Sequence, residues 1–254
     1  LISRTRIARL LGGARGMPGA DLDAIALALV NLSQLVCDFG EIAELDINPL
    51  LADGQGVIVL DARIRLGEVA APGTDRLAIK PYPRELEEDV PLADGRVLWL
   101  RPVLPEDEPA LQRAFDKLTP DEIYLRFFAP LKALSHAMAT RFTQIDYDRQ
   151  MVLILTEHGA PGTTEYYGSV NIVCDPDMQK AEYAILVRHD MTGKGLGSLL
   201  MRRIIAYARG RGIKEVFGEV LAQNHGMLSL CQQLGFRLET NPHDQSVVTV
   251  TLPL

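Results

Sequence analysis

The run Glu182-Tyr-Ala-Ile-Leu-Val-Arg-His-Asp-Met-Thr-Gly-Lys-Gly-Leu-Gly197 constrains this chain more than any other stretch. Its first residues read as a strand, its glycines as a tight turn, and Ser198-Leu-Leu-Met-Arg-Arg-Ile-Ile-Ala-Tyr207 as an amphipathic helix. Gly193, Gly195 and Gly197 alternate, so the expectation is backbone at φ > 0 and room for a ligand to come close. Amide N–H groups at a helix N-terminus lack intrahelical partners, and together with the helix dipole they favour an anion. A diphosphate fits that description. The stretch is not a Walker loop, because no Gly-Lys-Ser/Thr follows four spacer residues. A Rossmann-type turn and a plain strand-to-helix connection share the same GxGxG spacing.

The next constraint lies 27 residues past Gly197, in Asn224-His-Gly-Met-Leu-Ser-Leu-Cys-Gln-Gln-Leu-Gly-Phe236, a short helix ending in Gly-Phe. Together the two segments resemble the acetyl-CoA-binding core of the GNAT N-acetyltransferases, over residues 97–254. The resemblance implies an α/β fold with a GNAT-type mixed, mostly antiparallel sheet and flanking helices. It also implies acetyl-CoA as acyl donor and no metal requirement for the transfer. In that family the glycine loop, here Thr192, Gly193, Lys194, Gly195, Leu196, Gly197 and Ser198, holds the CoA pyrophosphate. Backbone groups of Ile185, Leu186 and Val187 would pair with the pantetheine as an added strand does, and one amide would polarise the thioester carbonyl. Asn224 would contact CoA, while the same residue also suits a simple helix cap.

Acetyl transfer to a lysine needs a neutral amine, and lysine's pKa of about 10.4 leaves it protonated at neutral pH. A carboxylate that takes the proton satisfies general-base catalysis. Several GNAT enzymes carry a glutamate at the strand position of Glu182, which the resemblance therefore assigns as base. The plain alternative is a solvated strand residue. Two positions depart from the family pattern. Thr192 stands where Gln or Arg is usual, so Arg188 or Lys194 is expected to supply the positive charge. Cys231 stands where a tyrosine commonly protonates the CoA thiolate. A thiol can donate a proton, and a buried cysteine is the other reading. Asp146-Tyr147-Asp148 is either a substrate-facing loop for a cationic lysine or a solvated acidic turn.

At 254 residues the chain holds one large domain or two modest ones. It has no run of about 18 apolar residues and no signal-peptide pattern, so neither a membrane span nor secretion is expected. The three cysteines are scattered without CxxC spacing, which argues for a reducing cytoplasm over a disulfide frame or zinc site. A net charge of −7 disfavours nucleic acid as partner. The chain opens at Leu1 inside helix-forming sequence, and we read it as a piece of something longer.

Ahead of the acetyltransferase-like region the pattern changes. Leu22, Ile25, Leu29, Leu32 and Val36 recur at helical spacing behind a cap at Asp21. Glu44-Leu-Asp-Ile-Asn-Pro-Leu-Leu51, a turn at Asp53-Gly54 and Val57-Ile-Val-Leu-Asp-Ala-Arg63 then read as a β-hairpin. These segments resemble the C-terminal end of the ATP-grasp part of NDP-forming acyl-CoA synthetases, over residues 1–66. In that family the positions of Asn48 and Asp61 hold the nucleotide's metal. In this fragment they read sooner as turn and edge-strand residues, and ATP turnover is not expected. Residues 67–96, with several prolines and the acidic run Glu85-Leu-Glu-Glu-Asp89, are expected to be a linker.

A synthetase-like region, a linker and a C-terminal GNAT domain, in that order, resemble the bacterial Pat-type protein lysine acetyltransferases. The segments Tyr124-Leu-Arg-Phe-Phe128 and Arg101-Pro-Val-Leu-Pro-Glu-Asp-Glu-Pro109 resemble that group too. This likeness implies direct transfer, in a ternary complex, to lysine ε-amines of metabolic enzymes, with AMP-forming acyl-CoA synthetases as typical acceptors. A small-molecule amine acetyltransferase, a non-catalytic acyl-CoA sensor and part of an ADP-forming synthetase are the other readings.

Overall fold

The structure is a computed structural model that describes residues 2–13, 18–68, 77, 79–241 and 244–254. It divides into two units, Leu1–Lys80 and Pro81–Leu254.

The first unit holds α1 (Ala8–Leu11), α2 (Leu22–Asp38) and four short strands, β1 (Ile42–Ile47), β2 (Leu50–Asp53), β3 (Gly56–Val59) and β4 (Ala62–Leu66). Helix α2 starts where the Asp21 carboxylate accepts the Ala24 N–H at 2.9 Å, a cap that contributes about 1 kcal/mol. The expected hairpin is two ladders, β1 with β4 and β2 with β3, both antiparallel. The break falls at Pro49, which has no N–H to give a ladder. Across it, the Asn48 N–H donates to the Asp61 carbonyl and the Leu60 N–H to the Pro49 carbonyl, each at 3.1 Å. Asn48 and Asp61 therefore face each other on the ribbon. The Asp61 carboxylate lies 3.4 Å from Arg63 Nε on the exposed surface. Among the described residues no group of three or more His, Cys, Asp or Glu is placed to hold a metal ion. Leu27, Val30, Ile58, Leu60 and Leu66 of this unit are exposed.

The second unit is built on eight strands: β5 (Glu88–Pro91), β6 (Val97–Pro102), β7 (Gln150–Thr156), β8 (Tyr166–Cys174), β9 (Lys180–Val187), β10 (Glu215–Leu221), β11 (Arg237–Asn241) and β12 (Asp244–Pro253). They form one sheet in the order β11-β12-β10-β9-β8-β7-β6-β5, antiparallel at every junction but β9 to β10. That parallel pair needs a crossover, supplied by α6 (Leu196–Gly210). Leu196, Leu200, Met201, Ile204, Ile205 and Ala208 line one stripe of α6 and are buried. They meet Leu153, Leu155, Val170 and Ile172 of the sheet in the main core, where each large side chain contributes about 1.5–3 kcal/mol by burial. The other face is covered by α3 (Glu108–Phe115), α4 (Pro120–Phe127) and α5 (His136–Thr143), through Phe115, Ile123, Leu134 and Ala139. Helix α7 (His225–Gln233) follows β10. Among the described residues no helix is long and apolar enough to cross a membrane.

The stretch expected as a linker is partly structured. Residues 69–76 and 78 lie outside the described residues, but Glu88–Pro91 pairs with β6 as the edge of the sheet. Two contacts explain this: Val90 is buried, and Glu88 takes two hydrogen bonds from Arg203 of α6, at 2.5 and 2.6 Å. Charges and a proline at such an edge discourage pairing with a further strand.

Candidate active site

Strands β9 and β10 are paired only from Lys180 to Glu182 against Glu215 to Phe217. Beyond Glu182 they part, while β9 stays fully paired with β8 up to Val187. The β10-facing backbone of residues 183–187 is thus open, and a groove runs along it. One half, of about 230 Å³, holds Glu182, Ala184, Ile185, Glu219 and Phe127. The other, of about 320 Å³, holds Leu186, Val187, Thr192, Gly197 and Leu230. Leu125, Arg126, Ile185, Asn224 and Met227 border both halves. The structure therefore brings Glu182, residues 185–187, Thr192 and Gly197 of the glycine loop, and Asn224 to the border of one groove.

At the far end lies the glycine loop. Gly193 and Gly195 have φ of 75° and 79°, and a Cβ on either would meet nothing within 4 Å. Gly195 is the N-cap of α6 and brings no side chain to the first-turn amides. Those donors stay free for an anion. Gly197 differs from the expectation: it sits inside α6 without a positive φ, and a Cβ there would make only an ordinary 3.5 Å contact with Leu230 Cδ2 of α7. The Thr192 hydroxyl donates to the His189 carbonyl at 2.7 Å. The Ser198 hydroxyl accepts from Arg202 Nε at 3.4 Å.

The positive charge expected from Arg188 is already committed. Its guanidinium is nearly buried, is forked onto Asp190 at 3.0 and 2.6 Å, and is ion-paired with Glu165. Lys194 remains at the loop, 3.2 Å from Asp94. Exposed charge pairs of this kind are weak, so Lys194 can be drawn to a phosphate.

The Glu182 carboxylate makes no hydrogen bond or ion pair among the described residues, and the exposed side chain borders the groove. Glu219 borders the same half. It lies two residues beyond the Glu182–Phe217 row, so it shares the sheet face of Glu182. Asn224 caps α7, its Oδ1 accepting the Met227 N–H at 3.1 Å, and borders the groove as well. The cap and the contact with a ligand are compatible.

Cys231 is placed elsewhere. Its thiol is fully buried, 3.1 Å from the Tyr183 hydroxyl, and burial pushes its pKa up from the ordinary thiol range. On α7 the groove is met by Gly226, Met227 and Leu230, so Cys231 faces the core. A proton donor sealed there does not reach a thiolate in the groove. The Asp146–Asp148 turn is structural too: the Tyr147 hydroxyl donates to the Val103 carbonyl at 2.6 Å, and Asp148 pairs with Arg211 at 2.6 Å.

Three bordering or supporting residues are not singled out by the sequence pattern: Glu219, Arg126 and Asn171. Glu219 had a signal in the alternation of Glu215-Val-Phe-Gly-Glu219, whose odd positions share a face. Arg126 stands inside Tyr124–Phe128 without a role evident from sequence, because its partner Asn171 is 45 residues away.

Residues 121–236 match the acetyltransferase (GNAT) family, and residues 1–66 match an ATP-grasp domain. An acetyltransferase of Pseudomonas aeruginosa is 31% identical over 163 residues, 64% of this chain and 87% of that protein. The acetyltransferase Pat of Mycolicibacterium smegmatis is 28% identical over 252 residues, 87% of this chain and 72% of its own length. The crystal structure of the GNAT domain of S. lividans PAT superposes with a TM-score of 0.61 at 30% identity, covering 68% of this chain and all of that one. The N-terminal unit is similar to an ADP-forming acetate–CoA ligase of Archaeoglobus fulgidus, 40% identical over 68 residues, which are 27% of this chain and 10% of that enzyme.

A mixed sheet split beside a glycine loop, with these similarities, defines an N-acetyltransferase, and the chain belongs to the GNAT family. Members of that family use acetyl-CoA as donor. Its layout, an ATP-grasp fragment ahead of the GNAT domain, is that of the Pat-type acetyltransferases.

Proposed function

We propose that the chain transfers the acetyl group of acetyl-CoA to a lysine ε-amine of a protein, by direct attack in a ternary complex. The observation that carries this reading is the unpaired Glu182 carboxylate at one end of a groove whose other end is the bare N-terminus of α6. The donor lies along the open backbone of β9, between the glycine loop and Glu182. Thr192, Gly193, Lys194, Gly195, Leu196, Gly197 and Ser198 hold the diphosphate, with Lys194 as the mobile cation. The amides and carbonyls of Ile185, Leu186 and Val187 hold the pantetheine, with Asn224 on the opposite wall.

The amine nitrogen attacks the thioester carbonyl carbon and the C–S bond breaks. Glu182 takes the proton that the ammonium must lose before attack, and a β9 amide stabilises the oxygen as it gains charge. The attacking nitrogen loses its second proton as the amide forms, and that proton passes through water to the departing thiolate, since Cys231 is sealed off. Glu219 beside Glu182 makes the acceptor end of the groove acidic, which favours a cationic amine. AMP-forming acyl-CoA synthetases are the acceptors suggested by the likeness to Pat-type enzymes. The ATP-grasp-like unit takes no part in the transfer, and Asn48 and Asp61 are assigned no metal.

The test is incubation of the full chain with acetyl-CoA and a panel of purified AMP-forming acyl-CoA synthetases, with acetylation read by mass spectrometry. Glu182→Gln is expected to slow turnover by about 10²-fold or more, with acetyl-CoA affinity unchanged. Turnover near that of the parent at neutral pH removes Glu182 from the mechanism. Acetylation of small amines alone moves the acceptor class away from protein.

A further inference from the structure

Three arginines penetrate the second unit, and the fold answers two of them with carboxylates. Arg101 is forked onto Asp107 at 2.7 Å through both terminal nitrogens. Arg188 is forked onto Asp190 and paired with Glu165. Arg126, half-buried, is answered differently. Its Nη2 donates to the Asn171 amide oxygen at 3.2 Å, and among the described residues no carboxylate is hydrogen-bonded to it. The rings of Phe127 and Phe142 flank the guanidinium at 5.0 and 5.9 Å. Desolvation pushes its pKa down from the ordinary arginine value, although the charge of Glu182 acts on it from a distance. A dehydrated guanidinium held by a neutral amide and two aromatic faces is a fork without its complement. The group that matches it in shape and charge is a carboxylate.

The position of Arg126 says where such a carboxylate would come from. It borders both halves of the groove, between Glu182 and the pantetheine-facing backbone. It also borders a small cavity of about 40 Å³ behind them, lined by Phe115, Phe127, Phe142 and Leu186. At about 10–15 Å³ for each water-sized centre, that space takes only a few heavy atoms. A long chain does not fit, whereas a short polar-ended one does.

We infer that Arg126 is a specificity-determining residue that receives a carboxylate carried by a substrate, either at the end of a short acyl chain on the CoA thioester or on the amine acceptor. This rests on the acyl-transfer reading of the groove. Asn171 and the two phenylalanines aim the guanidinium, and the carboxylate completes its set of partners.

The test is calorimetric binding to the full chain, using pairs of ligands that differ in one carboxylate. In the donor arm, succinyl-CoA is compared with butyryl-CoA. In the acceptor arm, Nα-acetyl-lysine is compared with Nα-acetyl-lysine amide on the CoA-loaded chain. In one arm the carboxylate-bearing ligand is expected to bind about tenfold tighter or more, as a charged hydrogen-bonded pair warrants. Arg126→Met is expected to erase that ratio and Arg126→Lys to retain part of it. Should Arg126→Met fail to fold, Asn171→Ala is expected to shrink the same ratio by freeing the guanidinium. The ratio of the parent chain itself needs no variant. Equal binding of both members in both arms overturns the inference, as does a preference that survives Arg126→Met. Because these are equilibrium ratios, absence of acetyl transfer to any amine counts against the proposed function and leaves the ratios readable. Failure to bind any CoA thioester overturns both.

Discussion

Replacing Asp107 with alanine is expected to remove a large share of the stability of the second unit, and the structure sets the size of the loss. Asp107 is 1% exposed and Arg101 0% exposed. The carboxylate takes both terminal nitrogens of Arg101 at 2.7 Å, the Leu104 N–H at 2.8 Å and the Gly162 N–H at 3.1 Å. Arg101 keeps one other bond, from Nη1 to the Pro102 carbonyl at 3.1 Å, and its Nε has no partner. Alanine therefore leaves a buried, almost bare cation and two orphaned amides. Breaking a buried pair from one side costs about 3–5 kcal/mol, and each stranded amide adds about 1–3 kcal/mol before relaxation and water entry reduce it. A net loss of about 4 kcal/mol is a large share of a total stability of about 5–15 kcal/mol. Urea unfolding followed through Trp99 checks it. This is the chain's one tryptophan, and the Arg101 guanidinium carbon lies 4.9 Å from its ring centroid. With a slope of about 2 kcal/mol/M the midpoint falls by about 2 M. The double change Arg101→Met with Asp107→Leu removes the cation along with its partner and is expected to recover the charge part of the loss, leaving the cost of the amides. A single-variant loss below about 1 kcal/mol, or a double variant as unstable as the single, would refute the reasoning.

Gly195→Ala meets no neighbour in the protein, so its own cost is the left-handed backbone, about 1–2 kcal/mol. Acetyl-CoA affinity by calorimetry is expected to fall about tenfold or more, because the new methyl group stands beside the anion-binding amides; an unchanged affinity takes the loop out of diphosphate binding. Cys231→Ala is expected to lower the melting temperature through a small core cavity, at about 1 kcal/mol, while steady-state turnover stays within about twofold. A turnover loss above about tenfold in that variant returns the thiol to the chemistry.

Much of the groove is legible in the sequence because its parts are local. The strand, the two positive-φ glycines and the stripe of α6 lie within about thirty residues and obey simple periods. Asn224 is legible for the same reason: an N-cap is a local device. What escapes depends on partners far along the chain. Arg188 looks available until Glu165, 23 residues earlier, folds onto it. Cys231 stands at the right distance from Gly235, but spacing along a helix does not say which face meets the groove. The edge strand at Glu88 is hidden in acidic, proline-flanked sequence, and the contacts that hold it, buried Val90 and the distant Arg203 and His158, are not local. The break at Pro49 is visible as a residue yet reads as part of a continuous strand, because the alternation on either side of it continues.

The three paired rows between β9 and β10 carry one more consequence. A sheet normally shares its load across every rung, yet here β10, β11 and β12 hang from the remaining strands by a short seam. Under the proposed function, a donor lying along the open backbone would add a temporary rung between the two blocks. Acetyl-CoA would then be both reagent and brace, and slower amide hydrogen exchange in β10 when it is bound is the expected sign.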